Sequence, residues 1–265
     1  MKKSGIRLNK YISHNSRYSR READALIEKG AVTLGSRVVK DYSCRVNDGD
    51  VVFVNGKRIE PRRSGEFTLI VYNKPKGVLV SKRDDRGRTT IYHKLPGKFR
   101  HFIPVGRLDF ASEGVLIMTD SPSVADFLMR SRMPRSYNIK IDSPLTEEMI
   151  DAMKNGLVLE DATKGSHSMS RIKSMSFSPF IDMVVRKEGK KYTKLRVTID
   201  EGKNRELRRF FAHFGANVLD LKRVAFGPVE LKNLPENKVR YFSRKEYEII
   251  HKLLEKGKAD DKIEA

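Results

Sequence analysis

Pro104-Val105-Gly106-Arg107-Leu108-Asp109-Phe110-Ala111-Ser112-Glu113-Gly114-Val115-Leu116-Ile117-Met118-Thr119-Asp120 ends in the most continuous apolar run of the chain. Gly114 to Thr119 reads as a central, buried strand. Immediately before it lie an arginine, Arg107, and a carboxylate, Asp109, in a loop flanked by Gly106 and Gly114, which permit tight backbone turns. Catalytic groups tend to sit on loops held by a rigid scaffold. These residues alone leave two readings open, a reactive carboxylate or an ordinary surface pair of Arg107 with Asp109, and by themselves tilt slightly to the second.

Working outward, Thr68 to Tyr72 reads as a buried strand ending at Asn73-Lys74-Pro75-Lys76-Gly77, with Val78 to Ser81 as a second strand. Pro122 suits the first turn of a helix to about Arg130. Strands follow at 137–142, 194–200 and 218–226, and Thr146 opens a helix ending at Asn155-Gly156. Leu207, Phe210, Phe211 and Phe214 recur at helical spacing in an amphipathic helix from Asn204 to Phe214, where the rings suit a core better than base stacking. Ser243 and Glu246 form a capping box for a last helix to about Glu255, and the charged tail 258–265 reads as disordered. Pro61 to Gly65 is the linker candidate, which divides the chain into a module at 1–63 and a domain at 64–257. The expected class is α+β, a small module followed by a domain on a mixed, mostly antiparallel sheet flanked by helices.

In the first module, Arg7 to Ser13 reads as a short helix. Ser19 and Glu22 form a capping box for a second one that stops at Gly30. Strands follow at 31–34 and 51–54, the latter running into the tight-turn pair Asn55-Gly56. Arg20 and Arg21 occupy the first turn of the second helix, where the helix dipole disfavours cations. Local stability does not explain them. With Arg17 they make better sense as phosphate contacts than as a solvated face.

Charge extends that argument to the whole chain. Lys and Arg total 54 against 34 Asp and Glu, a formal net charge of +20, and residues 1–63 carry 15 basic against 7 acidic side chains. Such an excess concentrates polyanions around the protein. A single cysteine, six scattered histidines and glycines never closer than five residues exclude an intrachain disulfide, the usual metal spacings, and the usual dinucleotide and Walker-type loops. No run is long enough to span a membrane and no apolar signal core follows the start, so a cytoplasmic protein without metal or cofactor is expected.

Five motifs then carry a resemblance. Gly106-Arg107-Leu108-Asp109 followed by Ser112-Glu113-Gly114 resembles the signature of the RsuA-type ribosomal RNA pseudouridine synthases. Asn73 to Val78, Ser136-Tyr137-Asn138-Ile139, Glu201-Gly202-Lys203-Asn204-Arg205-Glu206-Leu207-Arg208-Arg209-Phe210 and Val218 to Pro228 resemble further segments of that family, in the same order. Arg7-Leu8-Asn9-Lys10-Tyr11-Ile12 and Ser19-Arg20-Arg21-Glu22-Ala23-Asp24 resemble the alpha-L RNA-binding domain that this branch carries. The resemblance implies that Asp109 is the essential aspartate, that Tyr137 stacks on the target base and that Arg208 pairs with Asp109. It implies that Arg107 helps to hold a flipped nucleotide; Lys74 and Arg205, within the matched segments, join Arg17, Arg20 and Arg21 as further expected RNA contacts. The implied enzyme is a monomer that isomerises a uridine in a stem-loop of ribosomal RNA, of the large subunit, or in a pre-ribosomal particle.

The chain departs from the family pattern at Thr119-Asp120-Ser121-Pro122, where Thr-Asn-Asp-Gly is common, and at Ser112, often Thr. The first reads as altered helix capping, and the second keeps its hydroxyl. Two rival readings remain. A non-catalytic assembly factor explains the charge but not an Asp, a Tyr and an Arg each within its own motif. An RNA methyltransferase needs a glycine-rich loop whose usual form the glycine spacing excludes.

Overall fold

The computed structural model describes residues 5–16, 18–61, 67–166 and 170–263. The expected contact Arg17 and all but Pro61 of the expected linker lie outside them. Two compact units are present, one from the described residues of Met1–Thr68 with Asp120–Val124, the other from those of Leu69–Thr119 and Ala125–Ala265.

In the first unit, helices Leu8–Asn15 and Arg20–Glu28 bury Leu8, Ile12, Ala23 and Ile27 against Val32, Val52 and Val54 of a small antiparallel sheet. The capping box forms: the Glu22 N–H donates to Ser19 Oγ at 3.2 Å and the Ser19 N–H to Glu22 Oε2 at 2.7 Å. Asn55 and Gly56 join Val52–Val54 to Lys57–Arg58 with φ of 49° and 71°, the doubly left-handed geometry of a type I′ turn. Ser121 caps helix Pro122–Arg130, its hydroxyl accepting from the Val124 N–H at 3.4 Å, which accounts for the altered capping sequence.

The second unit is built on a nine-stranded sheet among the described residues. Its order is Asp182–Lys187, Thr193–Ile199, Arg135–Ile141, Val218–Phe226, Glu113–Thr119, Leu69–Lys74 and Val239–Tyr241, with the short strands Ile103–Pro104 and Val229–Glu230 paired onto it. All pairings are antiparallel except Val218–Phe226 with Glu113–Thr119, where Arg223 lies opposite Gly114. The architecture is therefore the expected α+β fold, with the apolar run at 114–119 inside the sheet. Helix Glu206–His213 packs Leu207, Phe210 and Phe211 onto one sheet face, beside Met149, Ala152 and Met153 of helix Glu147–Asn155. Each fully buried ring contributes about 1.5–3 kcal/mol, which confirms the core role expected of Phe210 and Phe211.

Three expectations need correction. Val78 to Ser81 makes no strand; its only ladder contact is an isolated bridge between Leu79 and Thr90, because the chain turns through Gly77 at φ +71°. The helix expected from Asn204 begins at Glu206, because Arg205 adopts a left-handed conformation at φ 50°. The last helix runs from Arg244 to Ile263, through most of the tail expected to be disordered, while Glu264 and Ala265 lie outside the described residues.

Candidate active site

The loop before strand Glu113–Thr119 is fastened from below. Lys74, at the end of the neighbouring strand, is fully buried, and its ammonium donates to the carbonyls of Pro75 at 2.9 Å, Asp109 at 3.1 Å and Ser112 at 2.8 Å. Burial lowers its pKa to about 8, against the opposing pull of Asp109 and Glu113. Sequence places Lys74 among the RNA contacts, but it has no exposed surface, and its contacts hold the Asp109 loop instead.

Gly114 closes the other end of the loop. Its φ is +106°, and a Cβ there would lie 2.1 Å from the Arg223 carbonyl oxygen. The parallel pairing therefore leaves no room for a side chain, and glycine is required.

Above this support the Asp109 side chain borders a cavity of about 1000 Å³, together with Arg107, Tyr137, Arg205 and Arg223. Asp109 Oδ2 lies 3.6 Å from Arg205 Nη1 and 3.7 Å from Arg208 Nε. Both exceed ordinary hydrogen-bond length, and no hydrogen bond to the carboxylate is present among the described residues. The acid thus sits in a positive field with its lone pairs uncommitted.

The two arginines are themselves anchored. Arg208 donates to the Val218 carbonyl at 2.9 Å and the Ala111 carbonyl at 3.2 Å, and Arg205 Nε donates to the Gly165 carbonyl at 2.7 Å. Both stand at the start of helix Glu206–His213, and the left-handed turn at Arg205 sets where they emerge. Tyr137 is 7% exposed on the cavity wall, its partners in register being Val197 and Arg223. Arg107 is exposed on the rim with no hydrogen bond or ion pair among the described residues. Asp109, Tyr137, Arg205, Arg208 and Arg107 therefore come together, whereas Lys74 lies beneath and Arg20 and Arg21 are exposed on the first unit.

Residue reading missed three cavity groups. Arg223 is 3% exposed, donates through Nε to the Val115 carbonyl at 2.7 Å, and has an Nη2 with no hydrogen-bond partner among the described residues. Arg135 donates to the Asp200 and Glu201 carbonyls and stacks over Phe226 at 4.6 Å. Glu206 accepts from the Lys203 N–H at 2.9 Å, and burial raises its carboxyl pKa to about 7. Arg223 and Glu206 fall inside motifs already singled out, where their types gave the only signal. Arg135 had none.

Comparison with known proteins decides what this geometry belongs to. Residues 68–213 match the family described as RNA pseudouridylate synthase, and residues 6–52 match the S4 domain. The chain belongs to the RNA pseudouridine synthase family. It is 49% identical over 246 residues to an uncharacterized RNA pseudouridine synthase of Helicobacter pylori, covering 93% of this chain and 94% of that one. It is 34% identical over 265 residues to the dual-specificity RNA pseudouridine synthase RluF of Escherichia coli, covering 99% and 84%. A crystal structure of a pseudouridylate synthase shares the fold with a TM-score of 0.62 at 24% identity, covering 94% of this chain and all of that one.

As a pseudouridine synthase the chain is an isomerase, and its S4 domain is an RNA-binding module. Among the described residues, no cluster of three or more His, Cys, Asp or Glu is placed to hold a metal, and no helix is long and apolar enough to cross a membrane.

Proposed function

We propose that this protein converts one uridine of large-subunit ribosomal RNA to pseudouridine through the carboxylate of Asp109. The observation that carries the reading is that carboxylate, held 3.6 and 3.7 Å from two anchored arginines, without a hydrogen bond among the described residues and sharing a cavity with Tyr137. The reaction breaks the bond from N1 of uracil to C1′ of ribose and forms one from C5 to C1′. N1 gains a proton and C5 loses one, so electrons balance without an oxidant, reductant or energy source. An ionised carboxylate can attack C1′ or take a proton from the sugar, and either role suits an acid with uncommitted lone pairs. Tyr137 offers a face for the base, worth roughly 1–3 kcal/mol. Arg107, free on the rim, holds the nucleotide once it has left its stack. The protein acts as a monomer in the cytoplasm, on a stem-loop of ribosomal RNA or of a pre-ribosomal particle.

Carbodiimide mapping of both ribosomal RNAs, after incubation with wild type or Asp109→Asn, tests this. The expected result is one new reverse-transcription stop in large-subunit RNA with wild type, and a rate at least ~10,000-fold lower with the variant. RNA binding without a stop from either protein would establish the assembly-factor reading instead.

A further inference from the structure

Three adjacent strands of the second unit, Asp182–Lys187, Thr193–Ile199 and Arg135–Ile141, leave one sheet face open. Tyr137, Ile139, Leu195 and Val197 point to the core and the Asp109 cavity side. Alternation therefore sends Asn138, Lys140, Lys194 and Arg196 to the opposite face, where Asn138 and Lys194 are exposed and Lys140 and Arg196 half-buried. On that face the register sets Lys187 opposite Lys194, and Lys194 opposite Lys140. Like charges directly opposite one another destabilise a sheet.

Asp220, opposite Lys140 on the neighbouring strand, relieves part of this repulsion by attracting Lys140 and Lys194, but its ion pair is with Lys76. Lys140, Lys187, Lys194 and Arg196 make no ion pair among the described residues, although the nearby Lys76 and Lys222 pair with Asp220 and Glu113. The three ammonium groups instead gather around the Tyr192 ring, at 4.6, 5.6 and 6.0 Å from its centre. One ring offsets about 0.5–1 kcal/mol for an exposed cation and does not neutralise three. Lys190 and Lys191 extend the positive charge through the connecting turn. Fold stability does not call for three lysines in this row, since a neutral side chain at position 194 would remove both like-charge pairs and leave Lys140 facing Asp220.

We infer that this face is a second RNA-binding surface, separate from the Asp109 cavity, on which the Lys187–Lys194–Lys140 row and Arg196 take backbone phosphates. The inference rests on RNA being the ligand of the proposed function and adds a second contact region to it. Neighbouring strands lie about 4.8 Å apart, so the row spans roughly 10 Å as a line of cations. Such a line fits a polyanion backbone and reads no sequence. Lysine suits it as a flexible point charge.

The test is filter binding of in-vitro transcribed large- and small-subunit ribosomal RNA across a salt series, with wild type, K140Q/K194Q, and the control K245Q/K252Q on exposed positions of the last helix. The face variant should bind about tenfold more weakly, with the slope of log affinity against log salt reduced by about 1.5. Its melting temperature should stay close to that of wild type, because the like-charge pairs and the attraction to Asp220 are lost together. Its turnover at saturating RNA should be unchanged. An unaltered affinity and slope would reduce the row to a solvated surface. An equal loss in the control would assign the effect to net charge. If wild type binds RNA but yields no pseudouridine, the proposed function fails while the binding comparison still decides this inference.

Discussion

At the scale of single residues, the Asp109 loop depends on atoms outside the cavity it borders. Gly114 is the sharpest case. Its φ of +106° and the 2.1 Å approach of the Arg223 carbonyl to the missing Cβ make any side chain both strained and overpacked. Each effect costs about 1–3 kcal/mol. Gly114→Ala should therefore lower the melting temperature by roughly 6–12 °C. It should also lower activity, because the parallel pairing that carries the Asp109 loop must shift. A melting temperature within 2 °C of wild type would show that the Arg223 backbone yields easily and that the loop is not tightly fixed. Lys74 belongs to the same support. Three carbonyls converge on its ammonium, two of them from the loop itself, so the loop's backbone groups are satisfied in a position that water does not reach.

At the scale of elements, helix Glu206–His213 sets the electrostatics of the site, and its first residue makes the fold sensitive to pH. Burial raises the Glu206 pKa from 4.5 to about 7, with Glu201 adding to the rise. Below pH 4.5 the group is neutral in both folded and unfolded chains, and its favourable contribution is complete. That contribution is lost as pH rises through 7, where the folded state must ionise a buried acid. Glu206→Gln cannot titrate. The melting temperature of wild type relative to this variant should thus be higher at pH 5 than at pH 8, by up to about 3 kcal/mol in stability. An identical difference at both values would show that Glu206 ionises freely.

The elements also mark how far sequence could be read. Helix Pro122–Arg130 and strand Val218–Phe226 were legible because proline at a first turn and a bounded apolar run are local signals. The edge strand Asp182–Lys187 was not, because its exposed positions carry no alternation, and Val78–Ser81 misled because a short apolar run does not specify its partner. Asp109, Tyr137 and Arg208 were singled out through resemblance. Spacing alone could not bring residues 99 positions apart within 4 Å of each other, nor show that Lys74, a type usually found at the surface, is wholly buried.

At the scale of the molecule, a net charge of +20 is divided between a small unit that carries the S4 domain and a larger unit that carries the synthase family match, and the proposed function has both meet one RNA. When two modules engage one ligand, the second contact is effectively intramolecular, and losing it costs affinity without touching chemistry. Arg20 and Arg21 are the cleanest probe of that division. Both are exposed, neither has a hydrogen bond or ion pair among the described residues, and both stand at the helix end that repels cations. Arg20→Ala with Arg21→Ala should leave the melting temperature unchanged or slightly raised, since the helix loses an unfavourable interaction. It should weaken ribosomal RNA binding about tenfold and lower the salt slope by about 1.5, as expected for two lost phosphate contacts. The KM for RNA should rise while kcat at saturation holds, because Asp109, Arg205 and Arg208 belong to the other unit. A fall in kcat with KM unchanged would contradict this division, since it would mean that the two arginines influence the reacting geometry and not the capture of RNA.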